Sequence, residues 1–359
     1  MMKRLISIVV ILISTVVLAS CSSSENQKKA DEEEGCEIAM IAESADVEDG
    51  SFTQATWESV KSFSEENGVK AKVYKPKEAS QEQYMTSIKE AADDGAGFIV
   101  LAGSGFETTA YAAQSQYADL DFLLIDGVPH DENNTYATAA NMVSVVFAEE
   151  EAGYMAGYAA VKEGYTKLGF MGGQALPSVK RYGYGFVQGA AAAAAEDEVK
   201  VEMNYKYTGV SKESEETEKL ASQWYESGIQ VIFASGGSIG KSVIKAAEKS
   251  EGKVIGSDMD QSSLSETVIT SAVKGIDSAV ETVLKSYIGE TFTGGTAFNY
   301  AAKNDGVKLE MEKSSFKKFT EENYKKIFNQ LKNGKTELKK DTGVGSVTEL
   351  TGEWVTIKE

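Results

Sequence analysis

The sequence predicts an α/β protein of two Rossmann-like lobes, each with a parallel sheet, joined by a hinge that the chain crosses several times. Three observations carry this expectation. Short apolar runs alternate with stretches of helical periodicity, the pattern of a doubly wound sheet. The runs end in Gly or Asp, as at Gly103, Asp126, Gly172, Gly236 and Asp258, and the series occurs twice. With 359 residues, the chain is too long for one ordinary core and suits two of ordinary size.

Ile38 to Ala42 reads as a strand buried on both faces, because the run is short, nearly all apolar and bounded by turn formers. After an acidic turn, Ser51 and Gln54 spell a capping box that opens a helix carrying Trp57, Val60 and Phe63 inward. Phe52 takes the first helical position, above the carboxyl end of the strand, where open α/β sheets bind ligands. A ring there either offers its face to a flat ligand or packs against the turn. Lys70 to Tyr74 and Phe98 to Leu101 are the next strands. Between them lies a helix, Ser80 to Asp94, with Tyr84, Ile88 and Ala91 on one face. Asp121 to Ile125 follows and ends in Asp126 and Gly127.

The helix from Glu149 to Lys162 is rich in Ala and Gly, which permits close packing, and opens a second lobe. Its strands are Leu168 to Met171, Val199 to Tyr207, Val231 to Ala234 and Val254 to Ser257. Val268 to Ala272 and the helix Ile276 to Tyr287 come after that sheet is complete, so they read as a return to the first lobe. A terminal helix, Thr320 to Leu331, packs back on the second. The expected lobes are residues 37–141 plus 264–295 and residues 142–263 plus 296–359.

Residues 1–20 have the form of a signal peptide: Lys3 and Arg4, then an apolar run from Leu5 to Leu18 that is short for a spanning helix. Leu18-Ala19-Ser20-Cys21 resembles the lipobox of bacterial lipoproteins, which makes Cys21 the acylated first residue of the mature chain. Residues 21–36 are mostly polar and charged, without periodicity, and read as a flexible tether.

Losing Lys3 and Arg4 removes two positive charges, so the formal charge of −19 becomes −21. That excess repels phosphate backbones and excludes a basic surface for nucleic acid. With Cys21 acylated, Cys36 has no partner for a disulfide, and one His with one Cys cannot build a zinc site. His130, the only histidine, sits in a polar turn, which argues against a Ser-His-Asp triad. No cofactor is implied. Ser235 to Ser242 ends in Gly240-Lys241-Ser242 like a P-loop, but Ser235 stands where the motif needs Gly. Gly236 and Gly237 instead let backbone amides at a helix N-terminus approach a ligand. Asp126 and Asp258, at strand ends, either accept hydrogen bonds from a ligand or cap the next helix. Lys274 and Asp277, three residues apart, fit a surface ion pair on one helix as well as a ligand contact.

Several motifs occur in a fixed order: the lipobox, Glu48-Asp-Gly-Ser-Phe-Thr-Gln54, Leu168-Gly-Phe-Met-Gly-Gly173, Arg181-Tyr-Gly-Tyr-Gly-Phe-Val-Gln-Gly189, Gly236-Gly237 and Val254-Ile-Gly-Ser-Asp-Met-Asp-Gln261. Together they resemble the basic membrane protein family of substrate-binding lipoproteins from ABC transporters, which have the type I periplasmic-binding fold. The resemblance covers residues 37 to 335, and the characterised branch is similar to the purine nucleoside receptor. It implies a lipid-anchored, non-enzymatic, monomeric receptor on the extracytoplasmic face of the cell membrane, delivering a small neutral ligand to an ABC permease. Phe52 would stack on the base, Asp126 would bond its edge, and Gly236, Asp258 and Lys274 would hold the ribose and its neighbours. A sensory lipoprotein with the same clamshell is the other function the resemblance admits. Three departures from the family involve four positions: Gly50 and Thr53 replace a usual Lys and Asn, Glu43 replaces an Asp, and Ser211 stands where an aromatic is usual.

Overall fold

The computed structural model describes residues 35 to 43 and 46 to 358. The signal peptide, Cys21 and the tether up to residue 34 lie outside them. Cys36, assigned to the tether, belongs instead to the fold: its amide donates to the Asp94 carbonyl, and its buried thiol sits 3.5 Å from the Tyr74 hydroxyl.

The strands, in chain order, are β1 (Ile38–Ile41), β2 (Ala71–Tyr74), β3 (Phe98–Ala102), β4 (Asp121–Ile125), β5 (Met142–Phe147), β6 (Lys167–Gly172), β7 (Val201–Tyr207), β8 (Val231–Ser235), β9 (Lys253–Asp258), β10 (Val268–Lys274), β11 (Thr296–Tyr300), β12 (Val307–Leu309) and β13 (Val355–Lys358). They form a six-stranded sheet ordered β11-β5-β4-β3-β1-β2 and a seven-stranded sheet ordered β12-β10-β9-β8-β6-β7-β13. All pairings are parallel except β10 with β12. The expected architecture of two parallel-sheet lobes is therefore present.

The helices are α1 (Phe52–Asn67), α2 (Gln81–Asp93), α3 (Glu107–Gln116), α4 (Glu149–Glu163), α5 (Pro177–Asp197), α6 (Glu215–Glu226), α7 (Ile239–Ser250), α8 (Ile276–Ile288) and α9 (Glu321–Lys332). Strand alternation decides which helix each side chain meets. In the first sheet, Ile38, Met40, Val100 and Leu123 face α1 and α8, while Ala39, Ile41, Ile99 and Leu124 face α2 and α3. In the second, Phe170, Met203 and Phe233 pack on α5, and Met171, Ile232 and Val254 pack against α6 and α7.

Two boundaries differ from the sequence reading. β10 pairs with β9, Val268 opposite Val254 and Ala272 opposite Ser257, so it extends the second sheet, and only α8 returns to the first lobe. β5 and β11 pair with each other in the first sheet, although the expected boundaries put both in the second lobe. The chain therefore changes lobe at Ala148, at Gly275 and between Tyr300 and Val307. These crossings are bonded side by side: Ala148 N donates to Tyr300 O and Gly275 N to Gly306 O, both at 2.9 Å.

The capping box at Ser51 does not form. Its hydroxyl donates to Asp49 Oδ2 (2.5 Å), and Gln54 Oε1 accepts from Gly50 N (2.8 Å). The Asp49 carboxylate stands in for the cap: it accepts from the Ser51 hydroxyl and amide and from the Gln54 amide that the box would use. The box at Thr320 and Asn323 is complete.

The small residues of α4 meet a matching set on α5. A β-carbon on Gly153 or Gly157 would overlap the carbonyls of Tyr182 and Phe186, and one on Gly185 or Gly189 those of Glu150 and Tyr154. Backbone rests on backbone, so added volume has no room. Gly157→Ala is expected to cost about 1 to 3 kcal/mol in urea unfolding. An unchanged midpoint would show that the helices can separate at no cost.

Candidate functional site

Strand order reverses between β1 and β3 in the first sheet and between β6 and β8 in the second, and ligands of doubly wound sheets bind at the carboxyl ends of such strands. In the first lobe this places Glu43 beside the turn at Gly103 to Gly105, where its Oε1 accepts from Gly105 N at 3.0 Å. Burial pushes the Glu43 carboxyl up; the Gly105 amide opposes this and the charges of Asp126 and Asp49 add to it. In the second lobe the corresponding turns are Gly172-Gly173 and Gly236-Gly237.

Beside these switch points, β4 and β9 end alike. Asp126 follows the last residue of β4, Asp258 is the last residue of β9, and both adopt φ 69°, a left-handed conformation uncommon outside glycine but accessible to Asp. The turns aim the two carboxylates at one cation. Lys274 Nζ lies 3.0 Å from Asp126 Oδ1, 3.1 Å from Glu149 Oε1 and 3.3 Å from Asp258 Oδ1. The Lys274 side chain is only 1% exposed. It is also ringed by aromatics, 5.1 Å from the Phe52 ring centroid and 5.4 Å from those of Phe147 and Tyr182. Burial alone would draw its proton off, but the three carboxyls outweigh that and hold its pKa well above the ordinary lysine value.

Lys274 is therefore the last residue of a strand and its partners are these carboxyls, which corrects the alternative of a surface ion pair with Asp277. Tyr182 supports the cluster from α5, its hydroxyl 3.1 Å from Ala272 O and 3.4 Å from Asp258 Oδ1. Glu149, the first residue of α4, has both oxygens buried and shares them between Lys274 and Arg181, whose NH1 is 3.8 Å away. Arg181 is held in turn by Asp341, 2.8 Å from its Nε. Burial pushes the Glu149 carboxyl up to about 8; Lys274 and Arg181 oppose the shift and Asp126 adds to it.

The two lobes also touch at the rim. Gln261, 4% exposed, donates from Nε2 to Gly50 O at 2.7 Å, and Lys241 Nζ reaches Glu48 O at 3.2 Å. The lysine of the P-loop-like stretch thus grips the opposite lobe, just ahead of Phe52. A cavity of about 500 Å³ lies against Asp258 and Lys274, walled by Ala55 and Ser59 of α1 and by Val273 and Ile276.

Gly236 stands apart from the cluster. It adopts φ 113° at the end of β8 and packs on Gly173, whose amide would meet a β-carbon there at 2.9 Å. The amide at the start of α7 is already engaged, Ser238 N donating to Ser211 O at 2.9 Å. The loop with Ser211 therefore covers this turn through its backbone. Tyr205 and Tyr207 share a face as alternation requires, with hydroxyls 2.7 Å apart. Tyr207 lines a separate cavity of about 350 Å³ with Tyr184 and Val347.

Phe52, Asp126, Asp258 and Lys274 thus converge, and Gly236 lies on the neighbouring strand end. Sequence reasoning missed Glu149, Tyr182 and Gln261. Three consecutive acids, Glu149 to Glu151, at the head of an otherwise small and apolar helix were the available signal for the first. Tyr182 and Gln261 stood inside recognised motifs without an assigned role.

Comparison with known proteins agrees with this geometry. The family model Bmp, described as ABC transporter substrate-binding protein PnrA-like, matches residues 36 to 342. The chain is 27% identical to the ABC transporter nucleoside-binding protein BmpA of Lactococcus lactis, covering 77% of this chain and 82% of that protein. It is 30% identical to basic membrane protein A of Borreliella afzelii, covering 72% and 78%. Among solved structures, a solute-binding protein of an ABC transporter system from Aeropyrum pernix K1 superposes with a TM-score of 0.69 at 21% identity, covering 88% of this chain and 90% of that one. The Lac repressor shares the fold at a TM-score of 0.52 and 14% identity, over 77% and 81% of the two chains. The paired sheets, the strand-end site between them and the match over nearly the whole described chain lead to one conclusion: the protein is a non-enzymatic member of the Bmp family of PnrA-like ABC transporter substrate-binding proteins.

Proposed function

We propose that this substrate-binding protein captures a purine nucleoside and is held at the outer face of the cell membrane by a lipid on Cys21, from where it delivers the nucleoside to its permease. The observation that carries the ligand class is the charge state of the site. Lys274 is already compensated by Asp126 and Asp258, and Arg181 by Asp341, so neither cation is spare for a phosphate. Carboxylates presented at strand ends suit the hydroxyl and ring N–H donors of a neutral nucleoside. Phe52 supplies an aromatic surface, one face of which Lys274 occupies, so the base stacks on one side only. The similarity to a nucleoside-binding relative supports the same reading.

A calorimetric screen of nucleosides should find at least one bound with micromolar affinity or better, about −8 kcal/mol. Its monophosphate should bind far more weakly, and equal affinities would rule out the charge argument. Asp258→Asn should weaken the bound nucleoside by about 1.5 to 3 kcal/mol, the range for a hydrogen bond to a charged group. Asparagine keeps the shape of the turn, so unchanged affinity would remove Asp258 from the site.

Closure should depend on the rim. Gln261→Ala removes the buried bond to Gly50 O, and affinity is expected to fall by about 0.5 to 1.5 kcal/mol, the net worth of one hydrogen bond. An unaltered dissociation constant would show that the rim contact plays no part in closure. For the anchor, Cys21→Ala should yield a folded protein that is not labelled by palmitate and partitions into the soluble fraction. Labelling that persists would place the lipid elsewhere.

A further inference from the structure

The charged cluster at the hinge contains more acid than base. Around Glu149 stand Lys274 on β10, Asp126 after β4, Asp258 on β9, Arg181 and Tyr182 on α5, and Asp341 in the C-terminal segment. Glu150, its neighbour on α4, is paired with Lys340 at 2.5 Å. Two cations, Lys274 and Arg181, thus serve four carboxyls. Asp126 and Asp258 divide Lys274, and Asp341 bonds Arg181 directly, whereas Glu149 has only the remainder of each. Neither Glu149 oxygen accepts a hydrogen bond, and its side chain is 1% exposed. Carboxyls this close in a dry site cannot all ionise, and the one without a dedicated donor keeps the proton. The α4 N-terminus favours the anion, but by less than burial disfavours it.

We propose that Glu149 is a positioning residue for the ligand site: as a neutral acid it leaves the Lys274 ammonium shared between Asp126 and Asp258, and its ionisation weakens ligand binding. This rests on the reading of Asp126, Asp258 and Lys274 as ligand contacts. The sign follows from two effects. An ionised Glu149 draws Lys274 away from the strand-end carboxylates that meet the ligand, and a ligand that excludes further water favours the neutral acid. Binding therefore takes up a fraction of a proton near the carboxyl's raised pKa of about 8, and affinity falls as pH rises through it.

Folding has its own linkage. An acid with its ordinary pKa of 4.5 when unfolded and near 8 when folded binds a proton on folding between those values, so its contribution to stability declines from about pH 4.5 to pH 8 and is flat beyond.

The test compares the full-length wild type with Glu149→Gln, a neutral isostere. Urea unfolding without ligand should show the stability of Glu149→Gln rising relative to wild type from pH 5 to pH 8; a constant difference means that Glu149 carries no proton and overturns the proposal. Adenosine titrations, with a base that does not ionise in this range, should show wild-type affinity level up to about pH 7 and weaker by about threefold to tenfold at pH 9, with Glu149→Gln changing by less than about twofold. Parallel pH profiles also overturn it. Should Glu149→Gln not fold, wild-type calorimetry at pH 8 in buffers of different ionisation heat decides, since binding without proton uptake overturns it. Should adenosine not bind at any pH, the choice of that nucleoside fails, and the unfolding comparison judges the proton on Glu149 separately.

Discussion

The ammonium group of Lys274 is buried where the two sheets meet, and much of the site can be understood as compensation for it. Burying such a charge costs several kcal/mol unless oppositely charged groups surround it. Here they come from both lobes, Asp126 from the first sheet and Asp258 from the second, while Glu149 adds a third carboxyl from the crossing between them. The left-handed turns at Asp126 and Asp258 make sense in this light. Each costs some backbone strain, tolerated because the turn places a carboxylate on the same cation.

Rigidity is unevenly distributed around this centre. The second lobe is braced by α4 and α5, whose glycines let the backbones touch, and α4 begins at the hinge with Glu149. The three crossings are hydrogen-bonded to one another, so a movement of the lobes has to pivot on them. At the opposite rim the connection is lighter, a few side-chain bonds such as Gln261 to Gly50 and Lys241 to Glu48. A clamshell that opens and closes needs this contrast between a strong hinge and a weak lip.

In the proposed function, charge selects the ligand class. The chain is strongly acidic, and the cations nearest the site are committed to carboxylates. A neutral ligand with several donors can enter such a site without bringing further negative charge into it, whereas a phosphate cannot. The same arrangement leaves the Glu149 carboxyl raised by burial, with Lys274 and Arg181 only partly opposing the shift.

Local chemistry was enough to read most strands from the sequence, because short apolar runs ending in Gly or Asp have few other conformations in an α/β chain. The strand-end carboxylates Asp126 and Asp258 were legible for the same reason, and Phe52 followed from its place at the start of α1. The terminal helix was legible too, since Tyr324, Ile327 and Leu331 recur at helical spacing and the last two form its buried face. The capping box at Ser51 was misread because Asp49 takes the Gln54 amide that the box would use, a competition that residue spacing does not rank. What the tertiary structure alone decided is membership and burial. β10 has the composition of a strand in either sheet, and only its pairing with β9 carries Lys274 to the hinge. The charge of Lys274, the raised pKa of Glu149 and the grip of Gln261 each involve a partner more than 100 residues away in sequence. Periodicity and turn chemistry report on neighbours along the chain, whereas desolvation and ion pairing depend on distances in space that exist only after the two sheets have packed.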